Sequence, residues 1–401
     1  MTPPPRADAH GRLQGLLLLL LASLAALGAL ATNIILPSFP HMAQDLGTSV
    51  KDLSATLASF FMAFALGQLM VGPLSDRFGR RWLVLGGLAV FVTGSVICAV
   101  AGNLPQLIVG RTIQALGVCA TSVLSRAIAR DLFEGEALAR ALALIMVAMA
   151  AAPGFSPLLG GAWEALMGWR ATFWLLAVLA VALAVLYMVR LGETHTADRR
   201  SAISPTAIAG TYLQLLGNRR FIAPAMSVSW VIGSLYLFFS MAPAILMTGF
   251  GFSALELSVF FASTVFVVFG AGFLAPRWAR RSGQMPVARA GILIALAGGL
   301  ALWAGHDNVY LFSAAMTVFL LGMGLINPLG TALTLQPFGH QAGAASALLG
   351  FLQMGCAAVS IAVAAALPLS VYDGFCAVLG FNLAGAWLVF GRVERSCEPE
   401  K

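Results

Sequence analysis

"GPLSDRFGRR", residues 72–81, sets one acid and three arginines in ten positions of a chain whose 401 residues are only 10% charged. Long apolar runs flank it on both sides. Mean hydropathy is +0.90 and 60% of the residues are hydrophobic, well above the roughly half apolar content of a soluble domain. A bilayer core about 30 Å thick takes roughly 20 apolar residues per helix, and backbone amides in lipid must be bonded internally. The uninterrupted apolar runs therefore read as membrane-spanning helices, and the charged decapeptide as the connection between two of them.

Working outward with that length predicts twelve spans, at 13–38, 52–73, 81–101, 105–127, 140–163, 170–190, 220–245, 254–276, 286–304, 309–331, 343–367 and 372–391. The expected fold is an all-α polytopic membrane protein. Pro153 and Pro157 fall in the fifth span and Pro224 and Pro243 in the seventh, which spanning helices tolerate when neighbours satisfy the freed backbone groups.

A net charge of +7 and a pI near 9.6 would suit a nucleic-acid binder, but the positive charges follow loop parity. Of 23 Lys and Arg, Lys51 and Arg170 fall in odd-numbered connections and Arg111 within a span, while the remaining 20 lie in the termini, the even-numbered loops or the span ends beside them. No nucleic-acid partner is expected; the partner is the lipid bilayer. By the positive-inside rule both termini and the 191–219 linker face the cytoplasm, as in a multi-pass protein of a bacterial inner membrane. The run "LLLLLLASLAALGALA" after Arg6 and Arg12 also has the make-up of a cleavable signal peptide ending at Ala29-Leu30-Ala31. A retained first helix is expected, because cleavage would leave eleven spans and no first helix to orient the basic loops.

The opening stretch has a partner. "GFLAPRWARR", residues 272–281, repeats it at an offset of 200, with Gly72, Leu74, Arg77, Arg80 and Arg81 matching Gly272, Leu274, Arg277, Arg280 and Arg281. Both copies are expected to join the second and third helices of a six-helix half, an arrangement in which transporters place a substrate site near the midplane between the halves. The division is 1–190 for the first bundle, 191–219 for the linker and 220–401 for the second bundle with its short tail. Within the linker, 205–217 reads either as a short amphipathic helix or as a flexible tether.

These features resemble the major facilitator superfamily over essentially the whole chain, and within it the twelve-helix drug:proton antiporters of the bicyclomycin/chloramphenicol resistance (Bcr/CflA) type. "GPLSDRFGRR" is similar to the family signature between helices two and three: Gly72 and Gly79 are read as permitting a tight turn, and the resemblance implies that Asp76, with Arg77 and Arg80, helps latch the two halves on the cytoplasmic side near the start of helix eleven. The second copy carries Pro276 where the acid stands, so the latch is expected to be asymmetric. "RTIQALG", with Arg111, Gln114 and Gly117, resembles the fourth-helix pattern. An arginine within a span costs several kcal/mol on insertion scales unless it snorkels or faces a partner or wet cavity, and Arg111 lies close enough to the outer end for either. "APGFSPLLGG", residues 152–161, resembles the antiporter signature of the fifth helix through Pro153, Pro157, Gly160 and Gly161, with Ser156 in place of its usual Gly. Proline bends and small residues allow close helix approach.

Asn33 stands where many relatives carry an Asp in the first helix. Asp45, Asp52, Glu164, Glu256, Asp307 and Asp373 fall at or beyond the outer ends and the remaining acids are cytoplasmic, so no carboxylate is expected at mid-membrane. The resemblance implies a secondary active exporter of amphiphilic drugs or metabolites working by alternating access, with protons as the coupling ion and a monomer as the unit. A metabolite exporter or facilitator without proton coupling at the first helix is the alternative. Asn33, Arg111, Gln114 and Met146 are the candidate substrate and coupling residues. No phosphate-binding GxxxxGK[ST] is present, and the lysines are Lys51 and Lys401; with no HExxH and no GxSxG, an enzyme is not expected. Cys98, Cys119, Cys356 and Cys376 lie within spans and Cys397 in the tail, without metal or redox spacing; no cofactor or metal is implied.

Overall fold

The computed structural model describes residues 11–196 and 205–397. Those residues are helical, with no strand among them: α1 Gly11–Asn33, α2 Phe39–Asp45, α3 Ser54–Phe78, α4 Arg80–Ala99, α5 Leu104–Leu132, α6 Gly135–Met167, α7 Trp169–Arg190, α8 Pro205–Gly217, α9 Arg219–Ala242, α10 Ala254–Ser282, α11 Gln284–Ala301, α12 Val309–Leu335, α13 Ala342–Ala366 and α14 Val371–Cys397. Twelve helical segments among the described residues are long and apolar enough to cross a membrane. The two sides are named here by the 191–219 connection, the linker end, and its opposite, the far end.

The first span is not one helix. α1 stops at Asn33, a 3-10 turn follows at Leu36–Ser38 and α2 completes the 31-residue segment Gly15–Asp45. Pro37 lacks an N–H and so cannot extend the α-helical ladder of α1. The seventh span breaks in a related way: α9 passes into a π-helical stretch, Pro243–Gly249, at its proline. α6, in contrast, continues as one helix through Pro153 and Pro157.

Residues 72–78 are not a loop. α3 continues through Gly72, Pro73 and Asp76 to Phe78, and the chain reverses at Gly79 alone, where φ is +91°. That backbone region penalises any side chain with a Cβ. Gly72 does not form a turn: it is helical, and a Cβ there would meet nothing within 4 Å. The second copy also departs from the expected equivalence. Position 279 is alanine, so α10 runs one further turn and reverses at Gly283, φ +87°. Arg80 and Arg81 thus open α4, whereas Arg280 and Arg281 close α10.

From these turns onward the structural repeat runs at an offset of 204. Gly87 and Gly94 of α4 lie against α5, and Gly291 and Gly298 of α11 lie against α12. A Cβ on Gly87 would fall 2.7 Å from the Gly117 carbonyl oxygen, and one on Gly298 would fall 2.8 Å from that of Ala315. Both are inside the van der Waals limit, so backbone packs on backbone; dispersion at this range holds helices together where lipid offers no hydrophobic drive. The bundles meet through α3 against α13 and α6 against α10. α8 is a helix rather than a tether, and Tyr212 anchors it by donating to the Leu69 carbonyl of α3 at 3.0 Å. Residues 197–204, the rest of that polar segment, lie outside the described residues.

Candidate functional site

Arg111 projects from α5 seven residues from Leu104, roughly 10 Å along the axis at 1.5 Å per residue, and its side chain is fully buried. It does not snorkel. Its Nη1 donates to the Ala31 carbonyl of α1 at 3.1 Å and to Gln114 Oε1 one turn along α5. The guanidinium also lies over the Phe60 ring of α3, 4.4 Å from its centroid, a geometry worth about 2 kcal/mol or more when desolvated. Gln114 passes the chain on, donating through Nε2 to Ser95 Oγ of α4 at 2.8 Å, and Ser95 donates to the Phe91 carbonyl at 2.8 Å. One cation therefore joins four helices of the first bundle. Its Nε and Nη2 have no partner, and no carboxylate bonds to it among the described residues.

Asn33 is buried at similar depth but does not join this network. Its Nδ2 donates to the Ala29 carbonyl and to Thr32 Oγ1, both at 2.9 Å within its own helix. Met146 lies elsewhere, in the linker-end half of α6, and is 66% exposed. Of the four candidates, the structure brings Arg111 and Gln114 together and leaves Asn33 and Met146 apart from them.

At the linker end, Arg80 is the hub of the charged stretch. Its guanidinium bonds Asp76 at 2.7 Å, Asp131 of α5 at 3.2 Å, and Ser75. Glu193, just beyond α7, accepts from the Arg80 and Arg81 backbone N–H groups at 2.8 and 3.3 Å, placing a carboxylate on the positive end of α4. These bonds join residues of the first bundle to one another and to Glu193 of the linker, and none of them reaches the second bundle. Arg77 stacks on Phe78 instead, 5.3 Å from the ring centroid.

At the far end the bundles touch. Ser258 of α10 donates to the Pro157 carbonyl at 3.0 Å, and Lys51 donates to the Leu367 carbonyl at 3.0 Å. Gly160 packs on Ile34: a Cβ there would sit 2.8 Å from the Ile34 carbonyl carbon and nearer still to its oxygen. Gly161 is less constrained, since its Cβ would meet Ser258 Oγ at 3.5 Å and Pro37 Cβ at 3.7 Å. Gly154 matters more, because a Cβ there would run into Val265 of α10.

Residues 21–388 match the family model of the Major Facilitator Superfamily. The chain belongs to this superfamily. It is 27% identical to Multidrug resistance protein D of Escherichia coli, covering 88% of this chain and 89% of that one. It is 31% identical to a chloramphenicol resistance protein of Pseudomonas aeruginosa, over 82% and 79% of the two chains. Among solved structures, an inward-facing, occupied bacterial homologue of the human lysosomal transporter Spinster superposes with a TM-score of 0.76 at 15% identity, covering 96% of this chain and 98% of that one. The superfamily is one of transporters rather than enzymes, as the sequence implied.

Several residues of this superfamily member were not singled out from sequence. Ser95 completes the Arg111 chain and Gly154 seats α10. Glu164 is a buried carboxylate; it accepts from Ser38 Oγ at 2.9 Å and lies 2.6 Å from His41 Nδ1, pinning the break in the first span. A polar residue one turn past a Gly-Gly pair was the available signal for Glu164. A cavity of about 660 Å³ lies between α9, α13 and α14, reached by Met62 of α3 and lined by Trp230, Phe351, Cys356, Ser360 and Asn382. Asn382 forms its polar floor, donating to Ser360 at 2.9 Å and Ser234 at 3.3 Å. A volume of this size suits a drug-sized apolar molecule with few polar groups.

Proposed function

We propose that this protein is a secondary active exporter of amphiphilic small molecules, drugs among them, that works by alternating access between its two six-helix bundles. The observation that carries this is its full-length likeness to transporters named for multidrug and chloramphenicol resistance. The bundles are 1–190 and 220–401, joined by 191–219, and the unit is a monomer in a bacterial inner membrane. The linker end is cytoplasmic, because the arginines concentrate there. The far-end contacts of Ser258 with Pro157 and of Lys51 with Leu367 then seal the outer side, and Asp76, bonded within its own bundle, is free to engage the other half when the inner side closes. Asn33, Arg111, Gln114 and Met146 serve substrate handling and coupling; Arg111 and Gln114 do so by fixing α1, α3 and α4 on α5.

Protons are the coupling ion in this reading. A facilitator or metabolite exporter without proton coupling is the second reading, favoured by Asn33 at the position where an acid would titrate. Dye efflux in an efflux-deficient host, with and without an uncoupler, separates them. Export abolished by the uncoupler supports antiport, export that persists supports the facilitator, and no export of any amphiphile refutes both. Reporter fusions after residues 195 and 401 test the orientation and should be active only with a cytoplasmic reporter.

A further inference from the structure

α5 carries a second cation that the Arg111 network does not use. Arg126 lies six residues before the linker end of the helix and is partly buried. Its Nη1 approaches Met149 Sδ of α6 at 3.4 Å, and no carboxylate bonds to it among the described residues. Among the described residues, the acids nearest this end other than Glu134 are engaged with other groups. Asp131 and Asp76 hold Arg80, Glu136 pairs with Arg140 at 3.3 Å, and Glu193 covers the start of α4; Glu134 stands exposed beyond α5. Arg130, one turn on and exposed, bonds the Arg126 carbonyl through Nε at 3.3 Å, so two guanidinium groups share one face of α5. Like charges at this spacing repel, a cost that an arriving anion would relieve.

The surroundings are as telling as the charge. Met149 and Met146 are one turn apart on α6, the first against the guanidinium and the second 66% exposed. Thioethers are polarisable and adapt to varied apolar shapes, while a guanidinium offers a fixed fork of donors to a carboxylate, sulfonate or phosphate oxygen. We propose that Arg126, flanked by Met146 and Met149, is the site at the linker-end mouth that receives amphiphilic anions. The anionic head bonds the Arg126 fork and the apolar body lies along the methionines. This deepens the export reading above and rests on it. The protein therefore prefers anionic over cationic amphiphiles of the same shape.

The test uses two xanthene dyes of one ring skeleton and opposite charge, carboxyfluorescein and rhodamine 123, with the full-length protein in proteoliposomes. Wild type should move carboxyfluorescein. Arg126→Gln should raise its KM at least about tenfold while rhodamine 123 transport is unchanged or improved, and Arg126→Lys should recover most of the carboxyfluorescein transport. Wild type moving only rhodamine 123 would overturn the anion site and leave the export reading standing. Equal loss of both dyes in a folded Arg126→Gln, or no loss of either, would make Arg126 a packing or interfacial charge and overturn the proposal. Should Arg126→Gln fail to fold, Met146→Glu, on an exposed position, should selectively depress carboxyfluorescein transport, and an unchanged dye ratio would refute the site. Wild type moving neither dye would count against the export reading itself and the anion site with it.

Discussion

Gly160→Ala and Gly161→Ala are adjacent, chemically identical changes that the structure predicts will behave differently. A methyl on Gly160 would sit 2.8 Å from the Ile34 carbonyl carbon and 3.0 Å from its Cγ1, against 3.5–4.0 Å for relaxed carbon contacts. Relief requires α6 and the end of α1 to part by more than about 1 Å, because the Ile34 carbonyl oxygen lies nearer still. Ile34 adjoins the 3-10 turn that Glu164 pins through Ser38, so the backbone there has little room to yield. Overpacking of this kind costs about 1–3 kcal/mol. A methyl on Gly161 makes ordinary contacts at 3.5 Å and beyond and should cost little. Each kcal/mol moves Tm by about 2–4 °C in chains of 150–250 residues and less in a longer one, so Gly160→Ala should lower Tm by a few degrees and reduce dye efflux at equal expression. Gly161→Ala should match wild type in both. Unfolding can be followed with a thiol-reactive fluorophore, because Cys98, Cys119 and Cys376 are buried. Equal effects of the two alanines on stability and efflux would refute the close-approach argument.

Arg111→Ala removes the cation that joins α1, α3 and α4 to α5 and should abolish efflux, whereas normal transport would strip Arg111 of its role. Asn33→Asp places an acid beside Thr32 at the same depth and should steepen the pH dependence of transport and favour cationic dyes; an unchanged pH profile and charge preference would exclude Asn33 from coupling. Asp76→Asn should cut transport about tenfold with little change in Tm, since a half-exposed ion pair with Arg80 contributes only about 0.5 kcal/mol, and wild-type efflux at equal expression would return the stretch to plain topogenic charge. His306, between α11 and α12, has its pKa raised by its hydrogen bond to Asp307 and by the charges of Asp307 and Asp373. Its contribution to stability is therefore present below the ordinary histidine value and lost as pH rises through the raised one. His306→Gln should be less stable than wild type near about pH 5 and equal to it near about pH 9, as thermal melts at the two values would reveal.

The twelve spans were legible because hydropathy is decided by solvent and not by neighbours. Their ends were not: α3, α5, α6 and α10 carry polar turns beyond the apolar core, where composition no longer distinguishes helix from loop. Arg111 and Gln114 were legible through the likeness of "RTIQALG" to the fourth-helix pattern, and they meet in the structure because i and i+3 share a helix face. Ser95 was not, since its place beside Gln114 depends on how α4 and α5 settle against each other through glycines. Asn33 shows the opposite failure. Its place in the first span does not fix which way the amide turns, and it turned to its own backbone.

The repeat carries the same lesson into mechanism. Matching residues at an offset of 200 pairs Arg80 with Arg280, yet the glycine turns and the glycine-lined packing of α4 and α11 obey an offset of 204, which pairs Arg80 with Gln284. The extra turn of α10 exists because position 279 is alanine and the helix has no reason to stop before Gly283. In the first bundle, then, an arginine at the start of α4 gathers Asp76, Asp131 and Ser75 around one turn. In the second, a glutamine occupies the equivalent place and the arginines point from the end of α10. The helix packing is repeated and the electrostatics are not. Closing the linker end must bring the charged turn of one bundle against a surface of the other that carries arginines at the end of α10 but no copy of that turn, so any latch there is asymmetric.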